Sequence, residues 1–235
     1  MTGICPPPRG RFAVVGSGTG TTASRLLDAV DDGTIPADVA VVVGNNSRSG
    51  ILTRARDRGV RTFHLSGKTH PEPDMLDAAM LDALDAAGTD LVVLAGYMKL
   101  LGPRVLERFK GAVLNTHPAL LPAYGGVGMY GDRVHAAVLA DGATRTGATV
   151  HQVTAVYDEG PIVAQREVEI RPDDDVEQLR ARVQAAEKSL LVDVVAAWFT
   201  DAAPPASGVA GDQASGLMRE SLRRDRTASP PSARA

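Results

Sequence analysis

Short, uniformly apolar runs alternate with helix-forming segments through the first half of the chain. Three such runs are "RFAVVGS", "VAVVVGN" and "DLVVLAG". Each ends in glycine or a polar residue, and a segment with helical periodicity follows it. Strands that are apolar on both faces are typical of a sheet covered by helices on both sides. The pattern therefore predicts a doubly wound, mostly parallel α/β sheet. The predicted strands are 11–17, 39–45, 60–65, 90–96 and 112–117, and the predicted helices are 21–33, 50–59, 73–88 and about 102–109.

The later strands have a different pattern. "GATVHQVTA" and "PIVAQREVEI" alternate between apolar and polar residues, which is typical of a hairpin or of edge strands. A helix is predicted before them at 134–142, and a long helix at 175–199 closes the fold. The sheet is therefore expected to end in an antiparallel C-terminal portion.

Composition along the chain predicts its domain organisation. The 235 residues suit one domain with appendages. Residues 1–10 are predicted to be a disordered leader, and residues 11–200 a single domain. Residues 201–235 are rich in Ala, Pro, Ser, Gly and mixed charge, and such a segment buries too little apolar surface to offset its ordering entropy. We expect a flexible, low-complexity tail there.

Charge and cysteine content exclude several function classes. The formal net charge is −3, which does not favour nucleic acid as a partner. Cys5 is the one cysteine, so a disulfide framework is impossible and a zinc site with cysteine ligands is not expected. No apolar run approaches the roughly 18 residues that cross a bilayer, and no signal peptide is evident. We expect a soluble, cytoplasmic protein without membrane contact.

A glycine-rich loop, "GSGTGTT" at 16–22, joins the first predicted strand to the first helix. Free backbone N–H groups and the helix dipole make such a turn a good anion site. A dinucleotide site would want glycine where Thr21 stands and an acidic residue after the second strand, and neither is present. A P-loop lysine is also missing. The loop is either a tight turn without a ligand or, as we favour, a site for a single phosphate.

The strand "AVLNTH" ends in two polar side chains, Asn115 and His117, followed by the bend "PALLP". Residues two apart on a strand point to the same face, so this amide and imidazole can converge on one atom. Ligands of an open parallel sheet bind beyond the carboxyl ends of its strands. The alternative is that Asn115 caps a turn and His117 is a structural histidine, and the pattern alone leaves both interpretations open.

A third group is needed to orient the imidazole and to move a proton. The stretch "VYDEGPI" supplies Asp158 and Glu159 in a turn between the last two predicted strands, although Asp in a turn is most often only a turn former. The remaining histidines have no spacing typical of metal ligands, and we expect no metal. They are His64, His70, His135 and His151.

From Arg11 to Phe199 the chain resembles the folate-dependent formyltransferases, most closely those that act on glycinamide ribonucleotide. The resemblance rests on "SGTGT", "DLVVLAGYMKLL", "LNTHPALLPAYGG", "GATVHQV", "DEGPI" and "RVQAAE". The N-x-H-P-x-L-L-P and D-x-G-x-I blocks are specific to this superfamily. The resemblance implies a Rossmann-like formyltransferase fold and favours the catalytic interpretation of the strand-end residues.

The resemblance also implies an activity. The amine of 5′-phosphoribosylglycinamide would attack the formyl carbon of the co-substrate 10-formyltetrahydrofolate, in purine biosynthesis, without a metal. Asn115 and a protonated His117 would donate hydrogen bonds to the oxyanion, and Asp158 would hold His117 charged and help to carry the proton. The expected partners are small molecules, with no nucleic acid or membrane, and the protein is expected to be a monomer or homodimer.

The binding residues implied by the resemblance fall into two groups. The substrate phosphate would lie at the glycine-rich loop, and Glu187 would hold the ribose hydroxyls. The pterin would lie against an apolar segment, with the chain around 153–158 reading its polar edge. The phosphate-loop residues are Gly18, Thr19, Gly20, Thr21 and Thr22, and the pterin-contacting residues are Met98, Leu100 and Leu101.

The sequence departs from the family pattern at several places. Thr22 stands where asparagine is usual, and Gln184 stands where other members have a basic phosphate ligand. The bend continues as "AYGGVGMYGDRVH", a longer glycine-rich version whose contacts do not carry over residue by residue. The roles of these positions in phosphate binding are therefore open at this point.

Three rival functions share the pattern in part. Methionyl-tRNA formyltransferase would need a further C-terminal domain, for which the polar tail after 201 is too short. Formyltetrahydrofolate deformylase usually carries an N-terminal regulatory domain, for which ten residues leave no room. A non-catalytic nucleotide-binding or folate-binding protein would not need Asn115, His117 and Asp158 together. Formyl transfer is therefore the favoured function.

Overall fold

A seven-stranded sheet with helices on both faces organises residues 9–200, the part of the chain that the computed structural model describes. Its strands are β1 (Gly10–Gly16), β2 (Ala37–Gly44), β3 (Thr62–His64), β4 (Leu91–Leu94), β5 (Val113–His117), β6 (Arg145–Gln152) and β7 (Ile162–Glu169). Its helices are α1 (Thr21–Asp31), α2 (Gly50–Asp57), α3 (Pro73–Ala86), α4 (Pro103–Arg108), α5 (Asp132–Ala140) and α6 (Val176–Thr200).

The strand order is β3-β2-β1-β4-β5-β6-β7. The first five strands pair in parallel, whereas β5 with β6 and β6 with β7 pair antiparallel. The predicted fold class, a doubly wound and mostly parallel sheet with an antiparallel C-terminal portion, is confirmed. The direction changes at β5, and this places the strand end with its two polar residues beside the hairpin.

The core lies on both faces of the central strands. Phe12, Val14 and Val42 are fully buried, as the uniformly apolar runs predicted. Burial of such a side chain stabilises the fold by about 1.5–3 kcal/mol. Helix α6 packs against β6 and β7, and its buried Leu190, Val194 and Trp198 explain why the closing helix is long and largely apolar.

The buried carboxylate of Asp77, on α3, fixes the start of α4. It accepts the N–H groups of Arg104 at 2.8 Å and Val105 at 3.2 Å, which otherwise have no partner within the helix. A side chain at Gly102 would collide with it, because an added Cβ would lie 2.1 Å from the Asp77 carboxyl carbon. The loop between β4 and α4 is therefore held at its far end.

The domain limits differ slightly from the prediction at the N-terminal side. Strand β1 begins at Gly10, which pairs with Ala37, so the last residue assigned to the leader belongs to the sheet. The rest of the predicted leader up to residue 8, and the predicted tail at 201–235, lie outside the described residues.

Candidate active site

A cleft of about 760 Å³ opens at the carboxyl ends of the parallel strands, next to β5. It is lined by the start of α1, the loop after β4, the end of β5, the loop before α5, the loop after β6 and one face of α6. Its lining residues include Thr21, Thr22, Met98, Asn115, Thr116, His117, Arg133, His135, Asp158, Gln184, Glu187 and Lys188. This is the edge at which the sequence predicted a ligand.

Strand β5 delivers its side chains to two sides of this cleft. Asn115 and His117 share one face because they are two residues apart. Thr116 lies between them and points the other way, where its hydroxyl donates to Glu187 Oε1 at 2.6 Å. One short strand therefore positions the two predicted catalytic residues and also orients the predicted ribose-binding carboxylate on α6.

His117 is buried and has a neighbour at each ring nitrogen. Its Nε2 lies 2.7 Å from the Tyr124 carbonyl oxygen, so Nε2 must carry a proton and donate. Its Nδ1 lies 3.4 Å from Asp158 Oδ2. Burial lowers the pKa of His117, although the Asp158 charge and the Tyr124 hydrogen bond act in the opposite direction. A lowered pKa favours the neutral imidazole in the resting site, whereas the expected donation to the oxyanion concerns the protonated form.

Asp158 adopts a left-handed backbone conformation, with φ 57°, at the turn after β6. Its Oδ2 accepts the Gly126 N–H at 2.9 Å. The chain around Gly125 passes close by, because a Cβ added there would lie 3.4 Å from the Asp158 Cβ. The carboxylate is thus held by the loop that follows β5, and the predicted trio of Asn115, His117 and Asp158 comes together in space.

The sequence interpretation missed His151 as a member of this site. In the antiparallel register of β5 and β6 it lies directly opposite Asn115. Its Nδ1 is 3.0 Å from the Gln152 carbonyl oxygen and must donate, so Nε2 is left as an acceptor. Asn115 Nδ2 lies 3.1 Å from that Nε2 and donates one of its two hydrogens to it. Burial lowers the pKa of His151, which agrees with this neutral form.

The contact with His151 settles the orientation of the Asn115 amide. Because His151 Nε2 accepts, the group facing it must be the NH₂ and not the oxygen. The second hydrogen of that NH₂ is available to a ligand in the cleft. The only signal for this arrangement in the sequence was the "GATVHQV" block, which contains His151 without indicating its partner.

The glycine-rich loop divides into two parts. Thr21 and Thr22, in the first turn of α1, line the cleft. Gly18, Thr19 and Gly20 instead approach the start of α2. The Thr19 carbonyl oxygen accepts from Arg54 Nε at 3.0 Å.

Gly20 has φ 79°, and a Cβ there would lie 2.5 Å from the Ile51 Cα. This glycine is therefore required by the close contact with α2. The N–H groups in the first turn of α1 have no partner within that helix. Together with the two threonine hydroxyls they form the part of the loop that can meet an anion.

Glu187, on α6, is partly buried in the wall of the cleft. Burial raises the pKa of its carboxyl group, while the Thr116 hydrogen bond and the Lys188 charge act in the opposite direction. Lys188 and Gln184 lie beside it on the same helix and also line the cleft, as does Arg133 at the start of α5. The sequence interpretation did not include Lys188 or Arg133.

The apolar segment after β4 lies on the other side of Asn115. Met98 and Leu100 are about half-exposed, whereas Leu101 is only 6% exposed and packs in the main core. Leu100 and Leu101 line a small side cavity together with Asn115, His151 and Asp158. This cavity joins the site at the reacting end.

Ser17 connects the two loops that flank the cleft. Its N–H donates to the Gly96 carbonyl oxygen at 3.1 Å, and its hydroxyl accepts from the Met98 N–H at 3.1 Å. The start of the glycine-rich loop and the apolar segment after β4 are therefore joined by two hydrogen bonds.

Between residues 9 and 200 no group of three or more His, Cys, Asp or Glu side chains is arranged to hold a metal ion. None of the helices in the same range has the length and apolar character to cross a membrane.

Known proteins share both the sequence and this architecture. The formyl transferase family matches residues 10–195. The phosphoribosylglycinamide formyltransferase of Mycobacterium tuberculosis is 44% identical over 197 residues, which is 84% of this chain and 88% of the relative. The crystal structure of glycinamide ribonucleotide transformylase 1 from Symbiobacterium toebii has a TM-score of 0.76 and 38% identity, and the alignment covers 82% of this chain and 89% of that one.

A formyltetrahydrofolate deformylase from Pseudomonas syringae is a weaker neighbour. It is 24% identical with a TM-score of 0.75, and the alignment covers 83% of this chain and 63% of the deformylase chain. At that identity it shares the fold alone. The expected resemblance, the fold and the transferase class are confirmed, and the chain belongs to the formyl transferase family.

Proposed function

We propose that the protein transfers the formyl group of 10-formyltetrahydrofolate to the amine of 5′-phosphoribosylglycinamide, a step of purine biosynthesis. The observation that carries the proposal is the cluster of Asn115, His117 and Asp158 at one end of a cleft whose other surfaces suit the two substrates. The M. tuberculosis and S. toebii relatives are named for this reaction.

The chemistry requires one new bond and one broken bond. The substrate amine forms a bond to the formyl carbon, the bond from that carbon to the donor nitrogen breaks, and one proton moves from the amine to the donor nitrogen. Negative charge collects on the formyl oxygen during this exchange. Groups that donate hydrogen bonds to that oxygen lower the barrier, commonly by about 3–4 kcal/mol each.

Asn115 supplies the first donor. One hydrogen of its NH₂ is engaged by His151 Nε2 at 3.1 Å, and this contact fixes the direction of the other. The amide therefore does not have to reorient when charge develops, which is the condition under which such a donor is effective.

His117 and Asp158 act together on the proton. The neutral imidazole presents an unprotonated Nδ1 to the Asp158 carboxylate at 3.4 Å, so two acceptors face each other with no proton between them. A proton released by the attacking amine is accepted by this pair. His117 is then cationic and donates from Nδ1, and the pair returns the proton to the donor nitrogen.

The two ends of the cleft suit the two substrates. Thr21 and Thr22 offer N–H and hydroxyl donors to the 5′-phosphate, with Gly18, Thr19 and Gly20 shaping the turn behind them, and Lys188 adds a positive charge to the lining of the same cleft. Glu187 accepts from the ribose hydroxyls. Met98, Leu100 and Leu101 form the apolar surface for the pterin.

The proposed steps need no metal ion, and the proposed partners are these two small molecules, with neither nucleic acid nor a membrane involved. We further propose a cytoplasmic location and a monomeric or homodimeric state. Size-exclusion chromatography with light scattering measures the latter directly.

One assay tests the proposed function. The purified protein is mixed with 10-formyltetrahydrofolate, with and without the ribonucleotide, and tetrahydrofolate release is followed by absorbance. We expect release that depends on the ribonucleotide and yields the formylated product. Release without the ribonucleotide would favour a deformylase, and no release under either condition would favour a binding protein.

A further inference from the structure

Tyr124 has a backbone conformation that its side chain does not favour. Its φ is 56°, and within residues 9–200 Tyr124 and Asp158 are the non-glycine residues with positive φ. The left-handed region is sterically disfavoured for residues with bulky side chains, more so than for Asp. Surrounding contacts must therefore hold Tyr124 in this conformation, and such residues cluster at functional sites.

Two contacts of the side chain hold it. The ring packs against the small apolar cluster formed by Ala119, Val134, Val138, Leu179 and Val183. The hydroxyl donates to Asp141 Oδ2 at 3.0 Å. Asp141 is the residue at the C-terminal end of α5, where a negative charge is unfavourable for the helix dipole. Asp141 therefore does not stabilise α5, and its side chain instead accepts a hydrogen bond from the Tyr124 hydroxyl.

The backbone that is held in this way contacts both members of the proton-handling pair. The Tyr124 carbonyl oxygen accepts from His117 Nε2 at 2.7 Å. Two residues later, the Gly126 N–H donates to Asp158 Oδ2 at 2.9 Å. The segment 124–126 therefore determines which nitrogen of His117 carries the proton and where Asp158 points.

We propose that Tyr124 is a positioning residue for formyl transfer, held in place by Asp141, and that its carbonyl group keeps the proton of neutral His117 on Nε2. Nδ1 is then the nitrogen that exchanges a proton with Asp158 and the substrate. This inference rests on the proposed function. It adds Tyr124 to the residues of the site: its side chain anchors the segment, and its carbonyl group contacts His117.

Three titratable groups other than Tyr124 face His117. Asp158 lies on the loop after β6, His151 on β6 and His135 on α5. Tyr124→Phe and Asp141→Ala leave all three in place. Each variant removes the same exposed hydrogen bond, Tyr124→Phe by removing its donor and Asp141→Ala by removing its acceptor.

The experiment compares Tyr124→Phe, Asp141→Ala and the double variant with the wild-type enzyme. We expect kcat to fall roughly threefold to tenfold in each single variant, with KM for both substrates unchanged within about twofold. The double variant should fall no further, because both changes break one contact. The acidic limb of the kcat–pH profile should move to lower pH, because the Tyr124 hydrogen bond raises the pKa of His117.

Asp85→Ala is the matched control, because Asp85 is an exposed acid in the last turn of α3 with an arginine partner, far along the chain from the site. The same loss in this control, additive losses in the double variant, or an unshifted pH profile would each overturn the inference.

Nitrogen NMR of histidine-labelled protein without substrates separates this inference from the proposed function. It should show the Nε2–H form of His117 in the wild type and a mixture of tautomers in Tyr124→Phe. An unchanged tautomer in the variant overturns the inference, whatever the activity assay gives.

Discussion

Replacing Asp158 by asparagine removes one negative charge from the reaction centre and little else. The new side chain has almost the same shape, and its oxygen can still accept the Gly126 N–H that Asp158 Oδ2 accepts at 2.9 Å. The loop should therefore keep its position. The interaction that disappears is the attraction between the carboxylate and the cationic His117 that forms when the amine releases its proton.

The separation of the two groups sets the expected size of the effect. Asp158 Oδ2 lies 3.4 Å from His117 Nδ1, and both side chains are nearly buried. Two unit charges about 4 Å apart interact by about 4 kcal/mol at an effective dielectric constant of about 20, which corresponds to about a thousandfold in rate. This agrees with the roughly 10²–10⁴-fold contribution of a positioned proton-transfer group.

The assay is steady-state turnover at saturating substrates, together with ribonucleotide binding by calorimetry and thermal unfolding. We expect kcat to fall about a thousandfold while the dissociation constant and the unfolding midpoint stay close to the wild type. Glu159→Gln is the matched control, since it removes the charge of the adjacent, exposed acid in the same turn. A loss below about tenfold in Asp158→Asn, or an equal loss in the control, would refute the proposed proton route.

Three other predictions follow from the same geometry. Asn115→Ala should lower kcat by roughly 10²–10³, because it removes one fixed donor to the formyl oxygen; an unchanged kcat would contradict that role. Glu187→Gln keeps an oxygen for the Thr116 hydroxyl but loses the charge, so KM for the ribonucleotide should rise roughly tenfold or more at little cost in kcat; a larger effect on kcat than on KM would be inconsistent with ribose binding.

The third concerns pH. Burial lowers the pKa of His117, His135 and His151 in the folded protein, so below about pH 6.5 the unfolded chain takes up protons that the folded protein does not. The raised pKa of Glu187 acts in the opposite direction, but as one group against three. The unfolding free energy from urea titrations should therefore fall between pH 7 and pH 5, and an equal or higher value at pH 5 would contradict the assignment.

The sheet could be predicted from the sequence because its signal is local. The strands that contain Val14, Val42 and Val93 are apolar on both faces, and these three residues are fully buried. Short apolar runs that alternate with helices predict such strands. The pair Asn115 and His117 could also be predicted, because two residues on one strand share a face. Asp158 required the family resemblance, since a turn former and a catalytic acid look alike in sequence.

The parts that were missed depend on register and on the path of loops. His151 meets Asn115 only because β6 pairs with β5 in one particular antiparallel register, and no short-range pattern specifies that register. Tyr124 acts through its carbonyl group, which every residue possesses, so its residue type gave no signal. Likewise, the neutral form of His117 follows from burial by segments that are distant in sequence. The sequence alone does not show which segments bury this histidine.

The two loops that meet at His117 are attached to the fold in different ways. The loop that carries Asp158 is closed at its base, where the Gln152 N–H donates to the Pro161 carbonyl oxygen at 2.8 Å. A Cβ at Gly160 would lie 1.7 Å from the Gln152 carbonyl oxygen, so the base of this loop leaves no space for a side chain at position 160.

The loop from Tyr124 to Tyr130, by contrast, carries Val127 at 87% exposure and meets the catalytic groups through backbone atoms of its first residues. Insertions and new side chains in the exposed half of that loop should therefore be tolerated, whereas one added residue between 153 and 160 should abolish activity. For protein engineering, the loop from Tyr124 to Tyr130 is the place to alter substrate preference, whereas the loop that carries Asp158 fixes the reaction.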